Sequence, residues 1–188
     1  MGAQRRAFLE ALANADVRCF KFVDETGTNL GATRRYGRAL AGQRVGPGVA
    51  LRRGGNVTVV GALTPNGLEV VMELDGALNE AAFSTWLDQV LGPTPHPGEV
   101  VVLDNLGVHK MPGMAERGAA YGAPLRFLPP YSPDFNPIER AWSKLKTGLR
   151  TAQARTRQAL SDALTQACNW LTKTDAQNWF AHGGYHVH

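Results

Sequence analysis

The order of its β- and α-patterned segments constrains this chain more than any single motif. Residues 17–24 (VRCFKFVD) alternate as a strand ending in Asp24, and residues 56–76 read as two strands around the turn Pro65-Asn66-Gly67. Residues 99–105 (EVVVLDN) make a short apolar run of the kind buried in a parallel sheet, ending at Asp104, and residues 124–128 (PLRFL) supply a fifth strand. Helical patterns separate these later strands. Asn79 caps a helix to Leu91 with Phe83, Trp86, Leu87 and Val90 as its apolar stripe. A weak helix broken by Pro112 and Gly113 follows Asp104, and Pro137, placed at a first helical position, opens a helix to about Arg150. Residues 4–14 suggest a short amphipathic helix with Phe8, Leu9 and Leu12 on one side, residues 156–171 another, and the tail after Phe180 reads as irregular. A meander of antiparallel strands followed by alternating helices and strands implies an α/β fold, a mixed five-stranded sheet flanked by helices.

With 188 residues, the chain is the length of one ordinary domain, so residues 1–188 are expected to form a single unit. No apolar run approaches the ~18 residues a membrane helix needs, and the N-terminal stretch lacks the apolar core of a secretory signal. The two cysteines, Cys19 and Cys168, have no C-x-x-C partner, which fits a reducing cytoplasm better than a disulfide framework.

Net charge is +4, but it is unevenly spread. Residues 26–68 contain no acid yet carry Arg34, Arg35, Arg38, Arg44, Arg52 and Arg53; residues 140–161 contain no acid yet carry Arg140, Lys144, Lys146, Arg150, Arg155 and Arg157. Arginine, which forks onto phosphate oxygens, outnumbers lysine threefold. A single such run reads as a solvated face; two acid-free basic segments point to a polyanion such as DNA.

Asp24 and Asp104 share a local grammar, each closing an apolar strand and preceding a polar residue and a loop. Ligand sites in open α/β sheets lie at the carboxyl ends of strands, so both carboxylates should project into one crevice if their strands are parallel neighbours. Two acids held together repel unless a cation joins them, and hard oxygen ligands suit Mg²⁺ or Mn²⁺. Either Asp alone is also explained by a turn or a helix cap. Glu139 has a structural rival role too: Asn136-Pro137-Ile138-Glu139 fits a capping box, in which the acid reaches back to the cap residue's amide. On its helix, Ile138, Ala141, Trp142, Leu145 and Leu149 make the core stripe, while Glu139, Ser143, Lys146 and Arg150 follow another face. Spacing leaves cap and metal ligand equally open.

Four stretches, DETG (24–27), TRRYGRALAGQR (33–44), LDNLGVHK (103–110) and PPYSPDFNPIERAWSKLK (129–146), resemble the catalytic domain of D-D-E transposases, and more narrowly the bacterial insertion-sequence branch of the Tc/mariner superfamily. The 34 residues between Asp104 and Glu139 match that branch's spacing, and the final FAHGGYH is also similar. The resemblance implies a ribonuclease-H-like fold and a triad, Asp24, Asp104 and Glu139, that binds two Mg²⁺ or Mn²⁺ ions. It implies metal-dependent cleavage of double-stranded DNA at element ends and 3′-hydroxyl strand transfer into target DNA, in a bacterial cytoplasm near the nucleoid. Asn105 and His109 match positions beside the second Asp; for His109, a loop histidine hydrogen-bonded to backbone is an equal reading. Such relatives carry an N-terminal helix-turn-helix module, which nothing before Asp24 resembles, so a homodimer or a partner chain bearing that module is expected.

From the basic segments, Arg34, Arg35, Arg38, Arg44, Lys144, Lys146 and Arg150 are the candidate DNA contacts, joined by Tyr131 of the proline-rich loop. Trp142, Trp170 and Trp179 read as packing residues, and His182, His186 and His188 lack the acid or cysteine partners of a metal cluster. A nuclease of the same fold without strand transfer, and an inactive DNA-binding remnant, are the competing functions; the intact triad argues against the remnant.

Overall fold

The computed structural model describes residues 2–12, 16–33, 39–43 and 54–185. Its centre is a five-stranded sheet in the order β3-β2-β1-β4-β5. β1 (Phe20–Asn29) lies in the middle, antiparallel to β2 (Asn56–Thr64) and parallel to β4 (Val100–Leu103). β3 (Gly67–Asp75) completes the hairpin with β2, and β5 (Leu125–Phe127) runs parallel to β4 at the other edge. The mixed sheet expected from segment order is therefore present. The hairpin turns through Pro65 and Asn66, with Thr64 facing Gly67, whose φ of +138° only glycine adopts without strain.

β1 departs from its expected bounds in an instructive way. Residues 17–19 form a 3₁₀ turn, capped by Asp16 accepting the Arg18 amide, so the strand starts three residues late. It then continues past Asp24 to Asn29, because β2 pairs with it along Glu25–Val60 to Asn29–Asn56. Asp24 is thus inside a strand, not at its end. The expected strand end is real only on the β4 side, where parallel pairing stops at Val23 and Leu103.

Helices cover both faces of the sheet. On one face Phe20, Phe22, Val59 and Val102 pack against α4 (Ile138–Ala152), α5 (Arg157–Asn169) and α6 (Lys173–His182). On the other Val23, Val60, Val101 and Leu103 pack against α2 (Glu80–Trp86), whose last turn widens through Leu87–Leu91, and against Met114 of α3 (Met114–Ala120). Asn79 caps α2 as expected, accepting the Ala82 amide at 2.9 Å. α4 buries its predicted stripe completely, Ile138 through Leu149, which is worth about 1.5–3 kcal/mol per large apolar side chain. Gly61 of β2 lets α4 come close: a Cβ there would stand 3.1 Å from the Trp142 ring.

Two elements differ from expectation at the chain's ends. α1 (Gly2–Leu12) begins two residues earlier than the apolar spacing suggests; it stacks Phe8 on Phe135 with ring centroids 5.9 Å apart, and Leu9 remains exposed. At the other end, the expected irregular tail is partly helical and partly core. α6 starts on a capping box of Thr172 and Asp175 and continues through His182, and Tyr185 is buried with its hydroxyl donating to the Phe135 carbonyl at 2.7 Å.

Candidate active site

Strand alternation sorts the acids of the centre onto opposite faces. Phe20 and Phe22 belong to the α4 side, so Asp24 projects that way, and Lys21, Val23 and Glu25 project toward α2. Since Val23 pairs with Leu103, Asp24 and Asp104 occupy the next rung of adjacent parallel strands. The first turn of α4 brings Glu139 to the same end. Asp104 and Glu139 line one cleft of about 470 Å³, with Asn105, Lys110, Tyr131 and Asn136 among its walls.

The two aspartates are in different states. Asp24 is buried and accepts the Glu25 amide at 2.9 Å; burial, then the charges of Glu25, Glu139 and Asp104, push its carboxyl up to about 8. Burial also presses on Asp104, but it is outweighed by the His109 hydrogen bond at 2.6 Å, the Leu106 amide at 2.9 Å and the nearby charges of His109 and Lys110, which hold it below the usual carboxylate range. His109 is wholly buried against the Phe83 ring, 4.5 Å between centroids. Burial disfavours its charge, yet Asp104 and Glu25 together raise it to about 9. Its Nε2 stands 3.4 Å from Glu25 Oε2, an ion-pair distance, and neither atom has a hydrogen-bond partner among the described residues.

The cap role of Glu139 is not formed. The Asn136 amide donates to the Pro133 carbonyl at 3.0 Å, so no carboxylate reaches back to it, and Asn136 Oδ1 is buried without a partner. α4 begins at Ile138 with no side-chain cap, one residue later than expected, so Pro137 occupies the cap position instead of the first helical one. The Glu139 carboxylate is exposed and, among the described residues, free of hydrogen bonds.

The remaining predicted residues separate into groups. Asn105 Nδ2 donates to the Leu128 carbonyl and ties the end of β4 to the loop after β5. Tyr131 is 86% exposed on the cleft wall, held at a φ of +54°. Lys146 and Arg150 are half-buried on the Glu139 flank of α4 and meet no carboxylate among the described residues. Lys144 lies on the other flank, paired with Asp175 at 2.6 Å. Arg34, Arg35, Arg38 and Arg44 lie outside the described residues. His182 contacts Arg140, while His186 and His188 lie outside the described residues.

Two residues escape a reading of the sequence. Glu25 looks like no more than the neighbour of Asp24, although alternation alone sends it to the other face. Arg5 pairs with Asp134, donates to Ser132 Oγ at 2.9 Å and sits 4.2 Å over the Phe135 ring, anchoring the loop that leads to Glu139; no sequence signal pairs positions so far apart.

The donor set is chemically suited to a hard divalent cation. Three carboxylates approach one another where one is kept protonated by burial and then by its neighbours' charge, and such a cation relieves the repulsion. Among the described residues no three His, Cys, Asp or Glu side chains stand close enough to enclose an ion as they are.

A family profile described as DDE superfamily endonuclease matches residues 20–161. Among solved structures, the fold is similar to a pre-cleavage Mos1 transpososome, with 13% identity, a TM-score of 0.74 and coverage of 95% of this chain and 57% of that one. It is similar to the Mos1 mariner paired end complex with Mg, at 13% identity and TM-score 0.71 over 97% of this chain and 58% of that one. It is also similar to the catalytic domain of Mos1 mariner transposase, at 10% identity and TM-score 0.69 over 95% and 84%. The chain therefore spans little more than half of the longer transposase chains, and such identities speak to the fold: a ribonuclease-H-like mixed sheet. No curated protein matches the sequence.

Proposed function

The chain belongs to the DDE superfamily endonucleases, and from that premise we propose that it is the catalytic domain of a transposase of the bacterial insertion-sequence branch of Tc/mariner. It cuts double-stranded DNA at element ends and joins the freed 3′-hydroxyl to target DNA. The observation that carries this reading is that Asp24 on β1, Asp104 just after β4 and Glu139 on α4 approach one another at one end of the sheet. Asp104 and Glu139 share a cleft, and Asp24 is within electrostatic reach of both.

In this reading Asp24, Asp104 and Glu139 hold two divalent ions, Mg²⁺ or Mn²⁺. Bound there, such a pair activates the attacking water or 3′-hydroxyl and stabilises the leaving oxygen of an in-line displacement. The protein's own residues set up the site. Asp104 presents an ionised carboxylate because His109 and the Leu106 amide hold it so. Glu139 is left free because Pro133 satisfies the Asn136 amide. Asn105 fixes the end of β4. Lys146 and Arg150, on the flank of α4 that begins at Glu139, offer cations to the DNA backbone, together with Lys144 across the helix, Tyr131 on the cleft wall and Arg34, Arg35, Arg38 and Arg44. End recognition falls to a partner chain or to a second copy.

Glu139→Gln tests the proposal. Removing the charge while keeping the side chain's size should lower Mn²⁺-dependent nicking of plasmid DNA roughly 10³-fold, the scale of several kcal/mol of lost transition-state stabilisation. Because Glu139 makes no cap, the melting temperature in chelator should stay within about 1 °C of the parent. A variant that nicks normally overturns the assignment.

A further inference from the structure

Glu25 takes no part in the function proposed above, yet its surroundings are costly for a carboxylate. It points to the α2 side of the sheet, away from Asp24, with a side chain only 21% exposed. There its Oε2 is buried without a hydrogen-bond partner, facing the equally unpartnered Nε2 of His109 at 3.4 Å. An unsatisfied buried carboxylate oxygen is expensive to keep. The opposite ring nitrogen, Nδ1, is 2.6 Å from Asp104 Oδ1, and that same oxygen accepts the Leu106 amide at 2.9 Å. Both protein partners of Asp104 therefore use one oxygen, and Oδ2 accepts from no described residue. The ring is clamped between Glu25 and Asp104 and pressed on Phe83, so its orientation has little freedom.

We propose that Glu25 is a positioning residue for Asp104, acting across the sheet through His109 to keep Oδ1 occupied and Oδ2 free for a ligand in the cleft. The geometry is that of a carboxylate–imidazole–carboxylate bridge, in which the outer acid fixes the ring and the ring fixes the inner acid. Losing an outer partner of this kind typically costs a metal site about 10–100-fold in affinity or activity. The inference rests on the reading of Asp104 as a metal ligand, and the experiment separates the two.

The full chain is compared with Glu25→Leu, Glu25→Gln and Glu25→Ala. The first readout needs no metal: the ring N–H protons of His109, assigned by their loss in His109→Gln, followed by NMR in chelator at pH 6.5. The bridge predicts a slowly exchanging, downfield Nδ1–H in the parent that survives in Glu25→Gln, which keeps an acceptor oxygen, and broadens or shifts upfield in Glu25→Leu and Glu25→Ala. The second readout is Mn²⁺ affinity by calorimetry, which should fall about 10–100-fold in the Leu and Ala variants and stay within ~3-fold in Glu25→Gln. A purely structural role would lower melting temperature without this split between Gln and Leu. An unchanged His109 proton in both truncating variants overturns the bridge. A changed proton with unchanged Mn²⁺ affinity overturns the positioning role. A parent that binds no Mn²⁺ overturns the metal reading of Asp104 and the positioning for a ligand with it, while the proton still decides whether the bridge exists.

Discussion

Asp24 and Asp104 follow the same pair of partners on adjacent parallel strands, yet the protein treats them in opposite ways. Around Asp24, β1 is sealed: β2 pairs past it, α4 covers it, and its carboxyl has one neighbouring amide and three neighbouring acids, with no cation beside it among the described residues. The Asp104 end of β4 is open, because the strand stops there and the chain turns back to place the Leu106 amide, His109 and Lys110 around the carboxylate. The same residue type in the same register is thus protonated up to about 8 in one place and ionised well below the ordinary range in the other. The difference teaches that strand position brings the acids together, while the chain segment after each one decides its charge.

The sharpest way to break this comparison is Asp24→Asn, measured in chelator across pH. The folded-state pKa of Asp24 lies above the unfolded one, so its contribution to stability is complete below about 4 and is lost as pH rises through about 8. An asparagine has no such loss. The variant should match the parent near pH 4 and exceed it at pH 9 by up to a few kcal/mol, or several degrees in melting temperature. A variant that is less stable at pH 9 would show that Asp24 is not a buried, repelled acid.

Asp104→Asn should act with the opposite sign and a smaller size. Asp104 has a lowered folded pKa, so its stabilisation is present above about 4 and lost as pH falls further; its partner His109 has a raised one, so the pair weakens again as pH climbs through about 9. The substitution should cost about 1–2 kcal/mol between pH 5 and 8, discounted for a carboxylate that is 38% exposed, and less on either side. No loss at any pH would mean the side chain serves only as a turn acceptor, a role asparagine keeps at the Leu106 amide.

These contrasts explain what could and could not be read from the chain. The hairpin at Pro65 to Gly67 and the stripe of α4 follow from local turn chemistry and periodicity, which act over a few residues; segment order implies a mixed sheet, while the parallel β1–β4–β5 pairing joins distant segments and is not read from local signals. The extension of β1 past Asp24 is hidden because residues 25–29 are polar and glycine-containing, and only pairing with β2 makes them a strand. α6 is hidden because it buries only Ala176 and Phe180, although Thr172 and Asp175 carry a capping signal. Glu139 could not be settled between cap and free acid, since the answer depends on the Pro133 carbonyl folding back onto Asn136. Glu25 and His109 are separated by the rest of β1, three further strands and a helix, and no spacing rule joins them.

The smallest effect is expected from Asn105→Ala, and it probes the open end of β4 by a route that leaves every charge in place. Asn105 Nδ2 donates to the Leu128 carbonyl, linking the residue after Asp104 to the loop that continues from β5. Asp104 is therefore held twice, by His109 through its side chain and by Asn105 through its backbone. Alanine removes the donor and leaves a partly buried carbonyl to find another, a cost of about 1 kcal/mol, or roughly 2–4 °C for a domain of this size. Because no charge changes, the loss should be the same at pH 5 and pH 8. Combined with Asp104→Asn, it should exceed the sum of the single effects if the two anchors share the work of holding one chain segment, since neighbours in one network are not additive. Strict additivity in thermal melts would mean that the Asn105 anchor acts independently of the restraints on the Asp104 side chain.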